Sequence, residues 1–277
     1  MLPTFIVIGA GKSGTTSLHR YLGAHPQVFT TARKELDFFI EDRGWPRGLP
    51  WYEQQFAEAE DAVARGESSP RYTLHPDFPS LPHEMAGIVP RARLIYIVRD
   101  PLERAISAFR QRWRDGRERL PIARALEENP FYLGGSMYGS QIERYLAYYP
   151  REQILILRTE DLLHRREETV RRALRFIGVD DSWTSPEIGI LHNRSEGQPR
   201  QPTWAVELRR AHWYGGFKRL LPARLRRAVT RLIQRRGDAV SLDVPLTVRE
   251  RLRDRLADDM ARFRQIAGEG FDAWDTA

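Results

Sequence analysis

The 277-residue chain has no cysteine, which excludes disulfide bonds, thiolate nucleophiles, cysteine-ligated zinc and iron–sulfur clusters. Long hydrophobic runs are missing as well. The apolar stretches at residues 5–11 and 94–98 fall far short of the ~20 residues that span a bilayer, and no basic segment precedes the first of them. The expectation is a cytoplasmic protein with no export or membrane-spanning signal. Internal repeats and low-complexity linkers are also absent, and 41% hydrophobic with 29% charged residues suits a folded globular chain. The seven histidines (His19, His25, His75, His83, His164, His192 and His212) show no metal-ligand spacing, so no metal is expected. One stretch lacks acids altogether. Residues 208–237 hold ten Lys and Arg and no Asp or Glu, in a chain whose totals are 44 basic and 37 acidic. The basic character is therefore local, pointing to one anionic partner face and not to a chain coated for nucleic acid.

What is present reads as alternating strands and helices. Phe5–Ile8 is a short apolar strand leading into a glycine-rich turn over residues 9–14, and Thr15–Ala24 has helical character. Val28–Thr31, Arg93–Val98 and Ile154–Leu157 are further strands, the last two of the continuous apolar kind that is buried on both faces. Asp100 and Pro101 supply an N-cap and first-turn proline for a helix reaching about Arg114, and Glu167–Ile177 is a helix stopped by Gly178. This order predicts an α/β fold with a P-loop-type, mostly parallel central sheet flanked by helices. Residues 41–52 and 66–83, rich in Gly, Pro, Trp and His, are expected as irregular excursions on the substrate side of the sheet's carboxyl edge. A single domain is expected, with a core over residues 1–200 and a basic helical extension over 201–277. Within the extension, Leu225, Val229, Leu232 and Ile233 share one helical face under arginines, and Leu246–Ile266 is a last long helix. Two roles stand open for residues 208–237. They form either an interfacial helix or lid, with Trp204, Trp213, Tyr214 and Phe217 beside arginines that meet anionic lipid or glycan, or an ordinary amphipathic helix packed on the core.

Three phosphate-binding patterns overlap at the first turn. Gly9-x-Gly11-x-x-Gly14, with Glu35 some twenty residues on, fits a dinucleotide fingerprint. The Walker A spacing fails, since the glycine it needs before Gly11-Lys12-Ser13 is Ile6. The third is a cluster: Gly11, Lys12, Ser13, Gly14, Thr15, Thr16 and Ser17 set an ammonium, hydroxyls and backbone amides at a helix N-terminus, an arrangement suited to a terminal anionic group.

Lys12-Ser-Gly-Thr-Thr-Ser-Leu18, followed by Leu22-Gly-Ala-His-Pro26, resembles the 5′-phosphosulfate loop and helix of the sulfotransferases that use 3′-phosphoadenosine 5′-phosphosulfate (PAPS). The likeness continues in order. Lys34-Glu-Leu-Asp-Phe-Phe39 with Trp51-Tyr52 resembles the segment bearing the catalytic glutamate in heparan-sulfate-type members, and Gly66-Glu-Ser-Ser-Pro-Arg-Tyr72 resembles their GEKTPxY segment. Arg99-Asp-Pro-Leu-Glu-Arg-Ala-Ile-Ser107 resembles their 3′-phosphate site, and the likeness extends over roughly residues 5–180.

This resemblance implies roles residue by residue. Lys12 contacts the bridging oxygen and stabilises the leaving phosphate, while Ser13, Thr15, Thr16 and Ser17 bind the 5′-phosphate. Arg99 and Ser107 hold the 3′-phosphate, with Tyr138 and Arg194 closing over the nucleotide. Glu35 is the general base. Lys34, Asp37, Trp51 and Arg71 line the acceptor side; Asp37 stands where some members carry histidine, and Ser68 where heparan-type members carry a substrate-facing lysine. The implied activity is sulfuryl transfer from PAPS to a hydroxyl or amine of a glycan, glycolipid or small acceptor, without a metal. Two other classes stay open: a P-loop kinase or nucleotidase in which Asp100 holds Mg²⁺, and a non-catalytic nucleotide-fold module docking on an anionic surface. Peripheral contact with the inner face of a membrane through residues 208–237 is a further expectation.

Overall fold

A parallel sheet covered by helices buries both of its faces, and alternate residues of each strand must then feed two separate cores. The computed structural model, which describes residues 1–74, 76–190, 243–268, 270, 271 and 274, has this construction. Its strands are β1 (Phe5–Gly9), β2 (Val28–Thr30), β3 (Ala64–Ser68), β4 (Arg93–Val98) and β5 (Ile154–Arg158). They pair in the order β2-β3-β1-β4-β5, every pair parallel, with Phe5 opposite both Gly66 and Arg93. The helices are α1 (Thr15–Gly23), α2 (Gly48–Gln54), α3 (Leu81–Ile88), α4 (Pro101–Arg114), α5 (Ile122–Glu128), α6 (Pro130–Gly134), α7 (Tyr138–Leu146), α8 (Thr159–His164), α9 (Arg166–Ile177), α10 (Pro186–Gly189) and α11 (Leu246–Ala267).

Phe5, Val7, Ile95 and Ile97 point into one core with α1, α8 and α9, while Ile6, Ile8, Leu94 and Tyr96 point into the other with α3 to α7 and α11. Val248, Leu252, Leu256, Met260 and Phe263 of α11 belong to that second core, so this last helix completes the same hydrophobic interior as the sheet. Polar contacts fix its register: the buried Asp259 carboxylate accepts from the amides of Gly139 and Ser140, at 2.9 and 2.8 Å, capping the start of α7.

The expected elements recur within a residue or two, including the α4 cap, where Asp100 Oδ1 accepts from the Glu103 amide at 2.7 Å. Residues 66–83 differ from expectation. The first three finish β3, which lies between β1 and β2, and a 3₁₀ turn over Pro70–Thr73 and helix α3 follow. Ala-Arg-Gly-Glu-Ser has no apolar run, yet tertiary contacts hold it as a strand. Gly66 lies beneath the Phe5 ring so closely that a Cβ would sit 2.2 Å from it, and Glu67 is satisfied internally by hydroxyls. Residues 41–52 likewise contain a 3₁₀ turn, Trp45–Arg47, and the start of α2. Arg194 and the basic stretch 208–237, with Trp204, Trp213, Tyr214 and Phe217, lie outside the described residues. Among the described residues, no helix is long and apolar enough to cross a membrane.

Candidate active site

The carboxyl ends of the parallel strands gather the motif residues at one edge of the sheet. At the end of β1 the glycine-rich turn is tied to its neighbour: the Ala10 amide donates to the Ile97 carbonyl at 2.6 Å, and the Thr159 hydroxyl lies 2.7 Å from the Ser13 carbonyl and 2.9 Å from that of Val98. Lys12 and Gly14 both adopt left-handed backbone conformations, φ 76° and 87°. Glycine does so without cost, whereas lysine there stores roughly 1–3 kcal/mol that the surrounding turn must hold. Ser13 and Thr15 are buried; Gly11, Thr16 and Ser17 are partly open, and a Cβ on Gly11 would meet nothing within 4 Å. The first helical bond of α1 runs from Leu18 N–H to the Gly14 carbonyl, and its first turn carries no acid, so the positive end of the helix dipole lies at this turn without a carboxylate of its own helix to offset it.

Cations from other elements meet Lys12 there. Its pKa is lowered, first by burial and then by the like charges of Arg114 and Arg99, with Asp115 and Glu35 acting the other way. Lys12, Arg99, Arg114, Asp115 and Glu35, from four segments, thus share one electrostatic neighbourhood, in which Arg114 Nε lies 3.7 Å from Asp115. Cations beside the positive end of a helix favour an anionic group there. Arg99 is about one-third exposed and 3.8 Å from Glu103, which is itself 3.1 Å from Arg249 of α11. Ser107 sits partly exposed on α4, two turns past Asp100. Tyr138 is fully buried and its hydroxyl donates to the Arg99 carbonyl at 2.9 Å, so it braces the strand end from below. The Asp100 carboxylate caps α4, an engagement that leaves little for the Mg²⁺ role of a kinase.

The turn that carries Glu35 is organised differently. Residues 34–37 form a turn in which Glu35 and Asp37 both have positive φ, 61° and 51°. The Glu35 amide donates to the Ser68 carbonyl at 3.0 Å and the Asp37 amide to Ser69 Oγ at 3.1 Å. The Glu35 side chain is 51% exposed and its Oε1 accepts from Lys34 Nζ at 3.0 Å. Asp37 is nearly buried; burial pushes its carboxyl up, against the pull of Arg71 and then Arg43, whose Nη1 is 3.5 Å away. Phe38 stacks on Tyr52 at 4.1 Å and lies 6.4 Å from Trp51, over which the Arg47 guanidinium sits at 4.6 Å. Arg71 is half-buried behind this turn.

Three features of this region had no clear mark in the sequence. Arg114 ends α4 fifteen residues after Arg99, a separation that carries no local motif. His19, one turn beyond Thr15, places Nδ1 2.9 Å from the Ser68 hydroxyl; burial and the charge of Lys34 push it down to about 4. Ser68 is thereby turned toward α1 at the position where a lysine would face substrate. Glu67, fully buried, accepts from Tyr52 at 2.8 Å, Tyr72 at 3.0 Å and Ser69 at 2.6 Å, and burial pushes it up to about 7 against those bonds. Only its place in the GESSPRY segment hinted at a role. A cleft of about 610 Å³ runs along α1 from Thr16 past His19 and Arg20 to Gly23 and Ala24, and is also lined by Thr31, Lys34 and Glu187.

The sequence profile of the sulfotransferase domain matches residues 2–194. This chain belongs to the sulfotransferase family. It is 32% identical over 175 residues to heparan sulfate glucosamine 3-O-sulfotransferase 5 of Mus musculus, covering 58% of this chain and 49% of that enzyme. Over 200 residues it is 30% identical to bifunctional heparan sulfate N-deacetylase/N-sulfotransferase 3 of Homo sapiens, covering 64% of this chain and 22% of that protein. The chain therefore spans about half or less of the curated relatives it matches. Among solved structures, the sulfotransferase from Alicyclobacillus acidocaldarius aligns over 99% of both chains with a TM-score of 0.70 at 24% identity, a likeness of fold. The mostly parallel sheet and single domain of this sulfotransferase follow that architecture.

Proposed function

We propose that this sulfotransferase moves the sulfuryl group of PAPS in line to a hydroxyl or amine of a glycan, glycolipid or other small acceptor. The observation that carries the reading is Lys12 beside the N-terminus of α1, in the field of Arg114 and Arg99, with the charges of Asp115, paired to Arg114 at 3.7 Å, and of the more exposed Glu35 acting the other way. Sulfuryl transfer needs that asymmetry. The acceptor oxygen or nitrogen forms a bond to sulfur while the bond from sulfur to the bridging oxygen breaks, and the leaving 3′-phosphoadenosine 5′-phosphate (PAP) takes the electron pair.

Lys12 and the α1 amides stabilise the charge growing on the leaving phosphate, an interaction that strengthens as the bond breaks. Thr15, Thr16 and Ser17 orient the 5′-phosphate. Arg99 and Ser107 take the 3′-phosphate, the group that separates PAPS from ordinary adenine nucleotides. Glu35 accepts the acceptor's proton, releasing Lys34 as it does so. Asp37, Arg71 and Trp51 shape the acceptor side. The relatives named for heparan sulfate support a glycan acceptor, while Ser68, committed to His19, supports a grip on it different from one built on lysine.

Calorimetry without added metal tests the reading. PAP is expected to bind at least tenfold more tightly than 5′-AMP, since charge-assisted hydrogen bonds to a second phosphate are worth roughly 1.5–3 kcal/mol each. Equal affinity for the two nucleotides overturns it. Labelled PAPS with heparan sulfate, glycolipids and phenols then defines the acceptor.

A further inference from the structure

Glu67 takes no part in the chemistry above, yet it is the best-connected buried carboxylate at the site. We infer that Glu67 is a positioning residue for the turn bearing the base: through Ser69 it fixes the Asp37 amide, and with it the left-handed backbone that presents Glu35. The inference rests on the sulfotransferase reading only in naming Glu35 as the base; the hydrogen-bond geometry stands apart from it.

The directions of these bonds leave little freedom. Tyr52, Tyr72 and Ser69 each donate to Glu67, whose carboxylate only accepts once ionised, as it becomes above about pH 7. Ser69 has one hydroxyl proton, and at 2.6 Å from Glu67 Oε2 that proton is committed. The lone pairs of Ser69 Oγ are then turned to the Asp37 amide at 3.1 Å. Next door, the Ser68 carbonyl accepts from the Glu35 amide at 3.0 Å, so both unusual residues of the turn are pinned to the end of β3. The same carboxylate fixes the following residues by a second route. Tyr52 stacks on Phe38 at 4.1 Å and Tyr72 packs against Phe39 at 5.6 Å. Glu67 is thus the point where α2, the turn after β3 and the base turn are joined, and an apolar residue there would leave three hydroxyls without their acceptor.

The test uses the full chain with S69A and E67Q. S69A removes the link to Asp37 while leaving Glu67 and both tyrosines in place; E67Q keeps the shape and weakens the acceptor. In S69A the Asp37 amide is expected to exchange its proton for deuterium about tenfold faster or more by NMR. PAP affinity should stay within about twofold, and with labelled PAPS and heparan sulfate kcat should fall about tenfold at unchanged KM for PAPS. E67Q should move the exchange rate and kcat in the same direction by a smaller factor. Wild-type Asp37 exchange in either variant overturns the inference, as does a lowered melting temperature with kcat intact, the signature of a part that only stabilises. If the wild-type chain fails to bind PAP, the sulfotransferase reading falls, and the Asp37 exchange rates alone then decide the role of Glu67.

Discussion

At the glycine-rich turn, main chain and cations set the character of the site: the N-terminus of α1, and Lys12 in the field of Arg114 and Arg99. On the acceptor side, side chains hold side chains, and one buried acid joins residues 37, 52, 69 and 72 through hydroxyls. The difference explains what each half tolerates. A cradle of amides recognises any group of the right charge and size, so it suits a donor shared by many enzymes. A side-chain relay can be rebuilt one residue at a time, so it suits an acceptor that varies from one enzyme to the next.

Substitutions can sharpen that contrast or break it. The largest effect is expected at Glu35: Glu35→Gln keeps the shape but cannot take a proton, so turnover should fall roughly 10²–10⁴-fold while PAP affinity, by calorimetry, hardly changes. Wild-type turnover in that variant would give the base role to Asp37. Next, Lys12→Ala should cost about 10²–10³ in kcat, because the ammonium matters most once charge has moved to the leaving phosphate. A raised KM for PAPS with kcat preserved would reduce Lys12 to a ground-state contact. Arg99→Ala should then weaken PAP about tenfold or more and leave 5′-AMP nearly untouched, since charge-assisted bonds of this kind are worth roughly 1.5–3 kcal/mol.

The smallest effect sets one half of the site against the other as pH changes. His19, on α1, is held at about 4 when folded against an ordinary 6.5, so the unfolded chain binds the extra proton between those values. Its contribution to stability is complete above pH 6.5 and is lost as pH falls toward 4. Glu67 has the opposite sign. Held at about 7 against 4.5, it contributes fully below pH 4.5 and loses that contribution as pH rises through 7. The two slopes oppose each other from pH 4.5 to 6.5. Scanning calorimetry should show the H19Q melting temperature falling by a few degrees relative to wild type as pH rises across that window, and that of E67Q rising. Parallel curves for wild type and both variants would mean that neither group is linked to folding.

The same contrast decides how much was legible in the sequence. β1, β4 and β5 announce themselves because a strand covered on both faces must be apolar throughout, and α4 because aspartate and proline mark its start. The glycine-rich turn is legible for a related reason: a turn built to bend around an anion needs glycines, hydroxyls and a lysine in consecutive positions. β3 is hidden because its polar residues are satisfied by partners elsewhere, Tyr52 before it and Ser69 and Tyr72 after it. Glu35 could be located by its motif, but its exposure could not, and the carboxylate that burial raises most visibly is Glu67. Arg114 was out of reach because only the geometry of α4 brings it to Lys12.

The cap that Asp259 places on α7 also bears on how the protein is made. Gly139 waits for its acceptor across 120 residues of chain, and α7 carries Tyr138, which braces the Arg99 carbonyl. At a ribosomal pace of roughly 5–20 residues per second, that separation is about 6–24 s of synthesis. The glycine-rich turn, with its strands and its Thr159 clasp, is already translated by then, while α7 still lacks its cap. The helix that braces the end of β4 at Arg99 is therefore among the last parts to be completed, with the last helix.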